Sequence, residues 1–350
     1  MDTKVNEVND TDLILTRRVD FRKKFTFLII IFTMVFTASF AVGRYPLTIK
    51  QLLDFVIFRF FDTSREIPEA VETVIMNLRL PRILAAVLVG SSLAASGAAY
   101  QGIFKNPLAS SDVLGASAAS AFGASIAIYF SFSNYGVQLS AFVLGIVSVL
   151  LVFIISQRIQ TDSAIALVLT GMLVSTLFSS AISLIKYIAD PFDKLPAITF
   201  WLMGSLSGVS IYSVKFACIP MLISLTVLYL LRWQINVLSL GDEEAKALGV
   251  NTQRLRLIII ICSTVLTATS ICISGVIGWI GLVIPNLARL LVGSNYTHLL
   301  PATVVMGGTF LLGVDCVSRG LFPVEVPLGI LTAFIGAPFF LILLCKGGRE

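Results

Sequence analysis

Asp242, Glu243, Glu244 and Lys246 form a tight group of ionisable residues within Leu238 to Val250, between two long apolar runs. Acids in a first turn and a glycine after a last one, here Gly249, describe a short helix. Its apolar residues Leu240, Ala245, Ala247 and Leu248 fall largely on one side. About two turns of helix do not hold together alone, so this one needs the flanking runs or a partner; the plainer reading is a solvated connecting loop. Other candidates for chemistry are sparse. The chain has no G-x-x-x-x-G-K-[ST] phosphate loop and no nucleophile elbow, and its single histidine, His298, cannot build a histidine-rich metal site. Cys218, Cys262, Cys272, Cys316 and Cys345 are scattered through apolar segments without metal or disulfide spacing, which reads as core. No metal ligand set, bound cofactor or catalytic group is expected.

The elements that would position the charged stretch are membrane spans. With 57% hydrophobic and 13% charged residues, against about 25% charged in a soluble globule, the chain is expected to be polytopic. A spanning helix takes about 20 apolar residues. The first expected span is Phe25 to Val42, after a basic tail at 1–24, and it exceeds the roughly 7 to 15 residue core of a secretion signal. Gly43 to Met76 reads as an extramembrane or interfacial segment. Arg79-Leu-Pro-Arg82 opens a second helix, where first-turn proline costs little, and this helix runs to about Gly102. Lys105-Asn-Pro-Leu108 ends it, and Ser110-Ser-Asp112 caps a short third from Val113. A fourth follows from Gly136 to Ser156 and a fifth from Ser163 to Ile185, then a loop from Lys186 to Thr199. The sixth is Val209 to Leu231, the seventh Leu255 to Leu282, the short eighth Pro285 to Gly293, the ninth Leu300 to Val317 and the tenth Val326 to Cys345. Residues 25–346 thus form one transmembrane domain, with 347–350 a C-terminal tail.

Ser96-Gly97, Pro107 and Gly115 are echoed by Ser274-Gly275, Pro285 and Gly293 at an offset of 178. Five helices per half is an odd number, so a true repeat inserts its second half upside down, as transporters do. With the N-terminus inside, fifteen of the 25 lysines and arginines fall on the cytoplasmic side. That count puts Leu238 to Val250 and both termini in the cytoplasm. The spans hold too few ionisable groups for an ion-coupled relay. Energy must therefore come from outside the chain, and a cytoplasmic helix between two spans is where an ATPase could push.

Several motifs in order resemble one family. They are Arg79-Leu-Pro-Arg82, Ser96-Gly97 with Gln101, Lys105-Asn-Pro-Leu-Ala109, Trp201-Leu-Met-Gly-Ser205, Leu240 to Gly249, Gly278-Trp-Ile-Gly-Leu-Val-Ile-Pro285 with Arg289, and Pro327 to Phe340. Together they look like the FecCD/BtuC-type permeases of iron-siderophore, haem and cobalamin ABC importers, over roughly Arg79 to Cys345. Asn286 departs from the histidine that many members carry after the proline. The resemblance implies an all-α membrane protein of the type II importer fold, with about ten transmembrane helices in two inverted five-helix repeats, in the bacterial inner membrane. It implies a permease dimer, formed with itself or a related chain, two cytoplasmic ATPases that use ATP and Mg, and an extracytoplasmic substrate-binding protein; nothing calls for nucleic acid.

By position, Leu240, Gly241, Asp242, Glu243, Glu244, Ala245, Leu248 and Gly249 would form the ATPase-coupling helix. Arg79, Arg82 and Arg319 would lie on the outer face and pair with acids of the binding protein, a geometry that favours arginine; the competing reading has Arg79 and Arg82 anchoring a helix end. Asn106, Leu108, Thr161 and Ser163 would form the cytoplasmic gate, unless Asn-Pro is only a helix stop. Ser175, Ser179, Ser183, Gly329, Thr332 and Gly336 would line the pathway, although small residues also let membrane helices pack closely. An iron-siderophore is the expected cargo, with cobalamin, haem or molybdate-type cargo as alternatives. An ion-coupled carrier and a membrane enzyme are the competing classes.

Overall fold

Helices make up all the regular structure among the described residues, which are 10–43, 45, 47–61, 68–159, 163–320 and 324–347 of a computed structural model. In lipid every backbone N–H and C=O must find its partner inside the chain, and a helix supplies it locally. The first helix, α1, is Asp10–Ala41; α2 is Ile49–Phe61, and α3, Glu69–Thr73, leads through a π-helical turn, Val74–Arg79, into α4, Leu80–Phe104. There follow α5 (Ala116–Tyr129), α6 (Asn134–Ser156), α7 (Ser163–Ile188), α8 (Lys194–Leu202) and α9 (Ile211–Leu240). The chain closes with α10 (Asp242–Ala247), α11 (Thr252–Ser274), α12 (Ile280–Val292), α13 (Tyr296–Gly320) and α14 (Leu328–Gly347).

Seven of these helices are long and apolar enough to cross a membrane, and α5, α12 and α14 are shorter apolar ones. Counted together they give the ten crossings expected. At about 1.5 Å per residue, α5 and α12 reach only about 20 Å, short of a hydrocarbon core of about 30 Å. Irregular chain at 105–115 and 275–279 completes those two crossings; 109–115 and 275–279 are buried or half-buried in protein, as irregular chain at membrane depth must be, while 105–108 are exposed.

The centre is α4, whose Ala85, Ala86, Gly90, Ala94, Gly97 and Ala98 make it thin enough to be packed all round. A Cβ on Gly97 would lie 1.8 Å from the Gly281 carbonyl oxygen, and one on Gly90 2.2 Å from that of Gly307. Backbone approach this close is the physical use of glycine here. In contrast, only 11% of the most apolar window of α1 is buried, against 83% for α4 and 78% for α11.

Packing exposes the inverted repeat. The first five crossings, α1, α4, α5, α6 and α7, match the last five, α9, α11, α12, α13 and α14, in order. α4 packs on α13 and α12, and its counterpart α11 packs on α6 and α5, so the partners exchange between halves. Likewise α5 packs on α6 and α7, and α12 on α13 and α14. Each short helix opens from a left-handed residue, Gly115 at φ +78° and Trp279 at φ +72°. The residue echo at offset 178 is not the mark of this symmetry. Gly97 lies inside α4 whereas Gly275 ends α11, and Gly115 opens α5 whereas Gly293 ends α12.

Several boundaries differ from the sequence expectations. The seventh helix does not run to Leu282; α11 stops at Ser274 because Gly275 (φ +68°) and Trp279 turn left-handed, and α12 begins before Pro285 rather than at it. The third helix starts three residues late, because Val113 and Gly115 donate to the carbonyls of Ser110 and Asp112 in successive turns. The sixth continues to Leu240, with the Arg232 guanidinium folded over the Tyr229 ring at 3.9 Å instead of ending the helix. The expected loop from Lys186 shrinks to a few residues between α7 and α8, and the interfacial segment holds α2 and α3. α1 already begins within the expected tail. Residues 1–9 and 348–350 of the two tails lie outside the described residues.

Candidate functional site

The coupling stretch is a real helix, and its charges are anchored. Leu240 is the last residue of α9, Gly241 the junction, and Asp242–Ala247 form α10. Gly249, at φ +77°, ends the helix while Gly249 N donates to Lys246 O and Val250 N to Ala245 O, both at 2.9 Å. Glycine suits this left-handed exit because it has no Cβ to clash. Both Asp242 oxygens accept from Arg256 Nη2 at 3.2 Å, and Lys105 Nζ lies 3.6 Å from Asp242 Oδ1. These contacts fix α10 to the start of α11 and to the turn after α4. Ala245 is fully buried, whereas Leu240 and Leu248 are 69% and 58% exposed beside the exposed Glu243, Glu244 and Lys246. One side is seated and the other is open to a partner.

The gate candidates Asn106 and Leu108 are exposed on this same face. Lys105 takes a left-handed conformation (φ 50°) to end α4, and Asn106 Oδ1 accepts from Leu108 N at 2.9 Å. Thr161 lies outside the described residues, and so does the Ser163 side chain at the start of α7. The structure adds a clamp that sequence reasoning did not assign. Asn286 Nδ2 donates to Pro107 O at 2.9 Å, Arg289 donates to Asn286 Oδ1 at 2.7 Å and to Gln101 Oε1 at 2.9 Å, and Gln101 Nε2 donates to Ala109 O at 3.2 Å. These three side chains, from α4 and α12, hold the middle and the end of the 105–109 turn. Gln101 and Arg289 stood among the family motifs, but no spacing in the sequence joins them to Pro107.

At the opposite face, Arg79, Arg82 and Arg319 are all buried. Asp315, with no exposure, accepts from Arg82 Nε at 2.8 Å and lies 2.9 Å from Arg319 Nε; Arg82 Nη1 also donates to both Glu325 oxygens at 3.0 Å. Arg319 donates to Val42 O at 2.8 Å, and Arg79 to Phe40 O and Tyr45 O. The three arginines therefore tie the ends of α1 and α13, the start of α4 and the link into α14 to one another. Their guanidinium groups face partners within the chain.

The pathway candidates divide. Ser179 and Ser183 are exposed on α7, with Ser183 Oγ donating to Ser179 O, while Ser175 is half-buried and donates to Gly171 O. Gly329 lines an apolar cavity of about 630 Å³ with Leu202, Met203, Trp279 and Phe334. Thr332 has no exposure and donates to Gly329 O at 3.2 Å; Gly336 sits beneath Trp279, where a Cβ would come within 2.7 Å of that side chain. These last two are packing positions in this chain rather than surface ones. Trp279, with its left-handed backbone, lines this cavity together with α14 and is the wall residue that the sequence reading left unassigned.

With the geometry in view, comparison with known proteins settles the family. The model of the FecCD transport family matches residues 29–346. The chain belongs to that family. It is 44% identical to the molybdate import system permease protein MolB of Haemophilus influenzae, over 91% of this chain and 94% of that one. It is 41% identical to a probable iron chelatin transport system permease protein of Helicobacter pylori, over 78% and 82%. A solved structure, an inward-facing conformation of a metal-chelate type ABC transporter, superposes with a TM-score of 0.84 at 42% identity, covering 93% of this chain and 99% of that one.

As a FecCD member, the chain is a multi-span ABC permease, as the motif resemblance implied, and its all-helical fold is that of the metal-chelate type permease. Relatives at similar identity are named for different cargoes, and the hemin permease HmuU of Yersinia pestis matches at 34% over 94% of this chain. Membership in the FecCD family thus fixes the machine and leaves the cargo to be proposed.

Proposed function

We propose that this permease moves a ferric chelate into a bacterial cell across the cytoplasmic membrane, by alternating access driven through α10. The observation that carries the reading is the two-sided build of α10: Ala245 buried, Leu240, Leu248 and the acids exposed, and Asp242 fixed to Arg256 and Lys105. On this reading Leu240 to Gly249 sit in a groove of a partner ATPase, which uses ATP and Mg. A rigid link to α11 and to the 105–109 turn passes its movement to the gate at Asn106, Leu108, Thr161 and Ser163. The α10 face, with the termini, is cytoplasmic, in keeping with the distribution of Lys and Arg.

At the other face an extracytoplasmic binding protein delivers the cargo. Arg79, Arg82 and Arg319 serve that docking by bracing the rim, and Arg82 becomes available to a partner carboxylate when Glu325 releases it. Two permease subunits meet across α7 and α14, whose exposed Ser179 and Ser183 and half-buried Gly329 border the path. A path of small hydroxyls without cations suits a cargo that is passed on rather than held.

A second cargo, molybdate, is favoured by the 44% identity to MolB over nearly the whole chain. Both are tested in vesicles containing the permease, its ATPase and its binding protein, supplied with radiolabelled ferric chelate or molybdate. ATP-dependent accumulation of the chelate supports the first reading, and accumulation of molybdate alone replaces it with the second.

A further inference from the structure

Two adjoining cavities lie along the α6–α11 pair, clear of α14, and the larger one reaches the first turns of α7 at Leu167. The first, about 690 Å³, opens at the α10 face and is lined by Ser156 and Gln157 from the end of α6 and by Gln253, Arg254 and Arg256 from the start of α11. The second, about 150 Å³, is apolar and continues along the two helices, lined by residues such as Ile146, Leu150, Ile261 and Val265. Phe153 and Leu257 line both, so the polar chamber and the apolar groove are continuous.

The described lining of the polar end is basic. Among the described residues that line the chamber, Arg254 and Arg256 are cations and none is an acid; Arg256 is engaged with Asp242 of α10, and Arg254 is exposed. Basic pockets between spans at the cytoplasmic level recognise anionic head groups. The groove beyond is flanked by the exposed Val147, Ile154 and Ile258, which in a membrane face acyl chains.

We propose that this composite cavity is a site for an anionic phospholipid, its phosphate against Arg254 and the two glutamines and one acyl chain between α6 and α11. It rests on the membrane-embedded reading and on the α10 face being at the headgroup level, and is independent of the cargo. Because Arg256 holds Asp242, the bound head group lies one side chain from the coupling helix. Lipid charge then bears on how firmly α10 is held.

The test counts lipids retained by the purified permease–ATPase complex in native mass spectrometry, after incubation with phosphatidylglycerol or phosphatidylcholine. Phosphatidylglycerol should be retained in preference, and Arg254→Gln should weaken it about fivefold, the share of one cation near a lipid surface, while Arg254→Lys keeps most of it. Leu150→Trp, which fills the groove without altering charge, should also weaken it. Equal retention by Arg254→Gln overturns the proposal. So does displacement of the lipid by soluble glycerol phosphate with Leu150→Trp silent, which marks a site for free phosphate. Retention only after the ATPase is stripped away overturns it too, since the surface then belongs to a protein partner.

Discussion

Asp315 is the residue whose removal has the clearest consequence. It is fully buried and faces Arg82 and Arg319, so Asp315→Ala leaves two desolvated guanidinium groups short of their counter-charge. Breaking such a group costs about 3–5 kcal/mol, and thermal unfolding of the detergent-purified protein should show a large drop, with Arg82→Lys much milder. A Cβ on Gly97 would strike the Gly281 carbonyl at 1.8 Å, so Gly97→Val should abolish a stable α4–α12 contact and lower the yield of folded protein, while Gly313→Ala, which opens on empty space, should be near neutral. These residues differ in how far the sequence reveals them. The small side chains of α4 announce close packing, but Asp315 reads as one acid in an apolar run, because its partner Arg82 is 233 residues away. The partner of Asn286 is hidden from the sequence for the same reason: Pro107 O, its acceptor, is 179 residues distant.

At the scale of elements, Asp242 ties α10 to the start of α11 through Arg256 and stands 3.6 Å from Lys105 of the 105–109 turn. Leu248→Glu changes the exposed side of α10 and leaves Ala245 seated; it should abolish ATP-driven uptake while membrane insertion and thermal stability stay within about 0.5 kcal/mol of the parent, as for an ordinary surface change. Asn286→Ala frees the middle of the turn, and the expected outcome is ATP hydrolysis that continues with uptake reduced severalfold, read as a fall in cargo moved per ATP. The short helix was legible because acids in its first turn and a terminal glycine fall at helical spacing, whereas its expected apolar side is split: Ala245 is buried and Leu240, Ala247 and Leu248 are exposed. The break between α11 and α12 was not, since Gly275 to Trp279 carry no charge or proline and only their left-handed backbone marks the interruption. Apolar runs reveal that a membrane is crossed and hide where one crossing ends and the next begins.

For the whole molecule, ten crossings and their inverted order followed from composition and from an odd number of helices per half, although the residue echo first used for the repeat falls on unlike positions. What the halves exchange is partners, α4 with α13 and α11 with α6, and such exchange is a property of packing that no one-dimensional pattern carries. The arrangement leaves α4 and α11 as a fixed axis and places α10 at one end of it, with the arginine network at the other. On the proposed reading, energy entering at α10 reaches the far face by moving these packed helices together. The most direct test is uptake into sealed vesicles containing the permease with its ATPase and binding protein. Accumulation that requires internal ATP and vanishes in Leu248→Glu is the expected result, and accumulation driven by an ion gradient with the ATPase absent would contradict it.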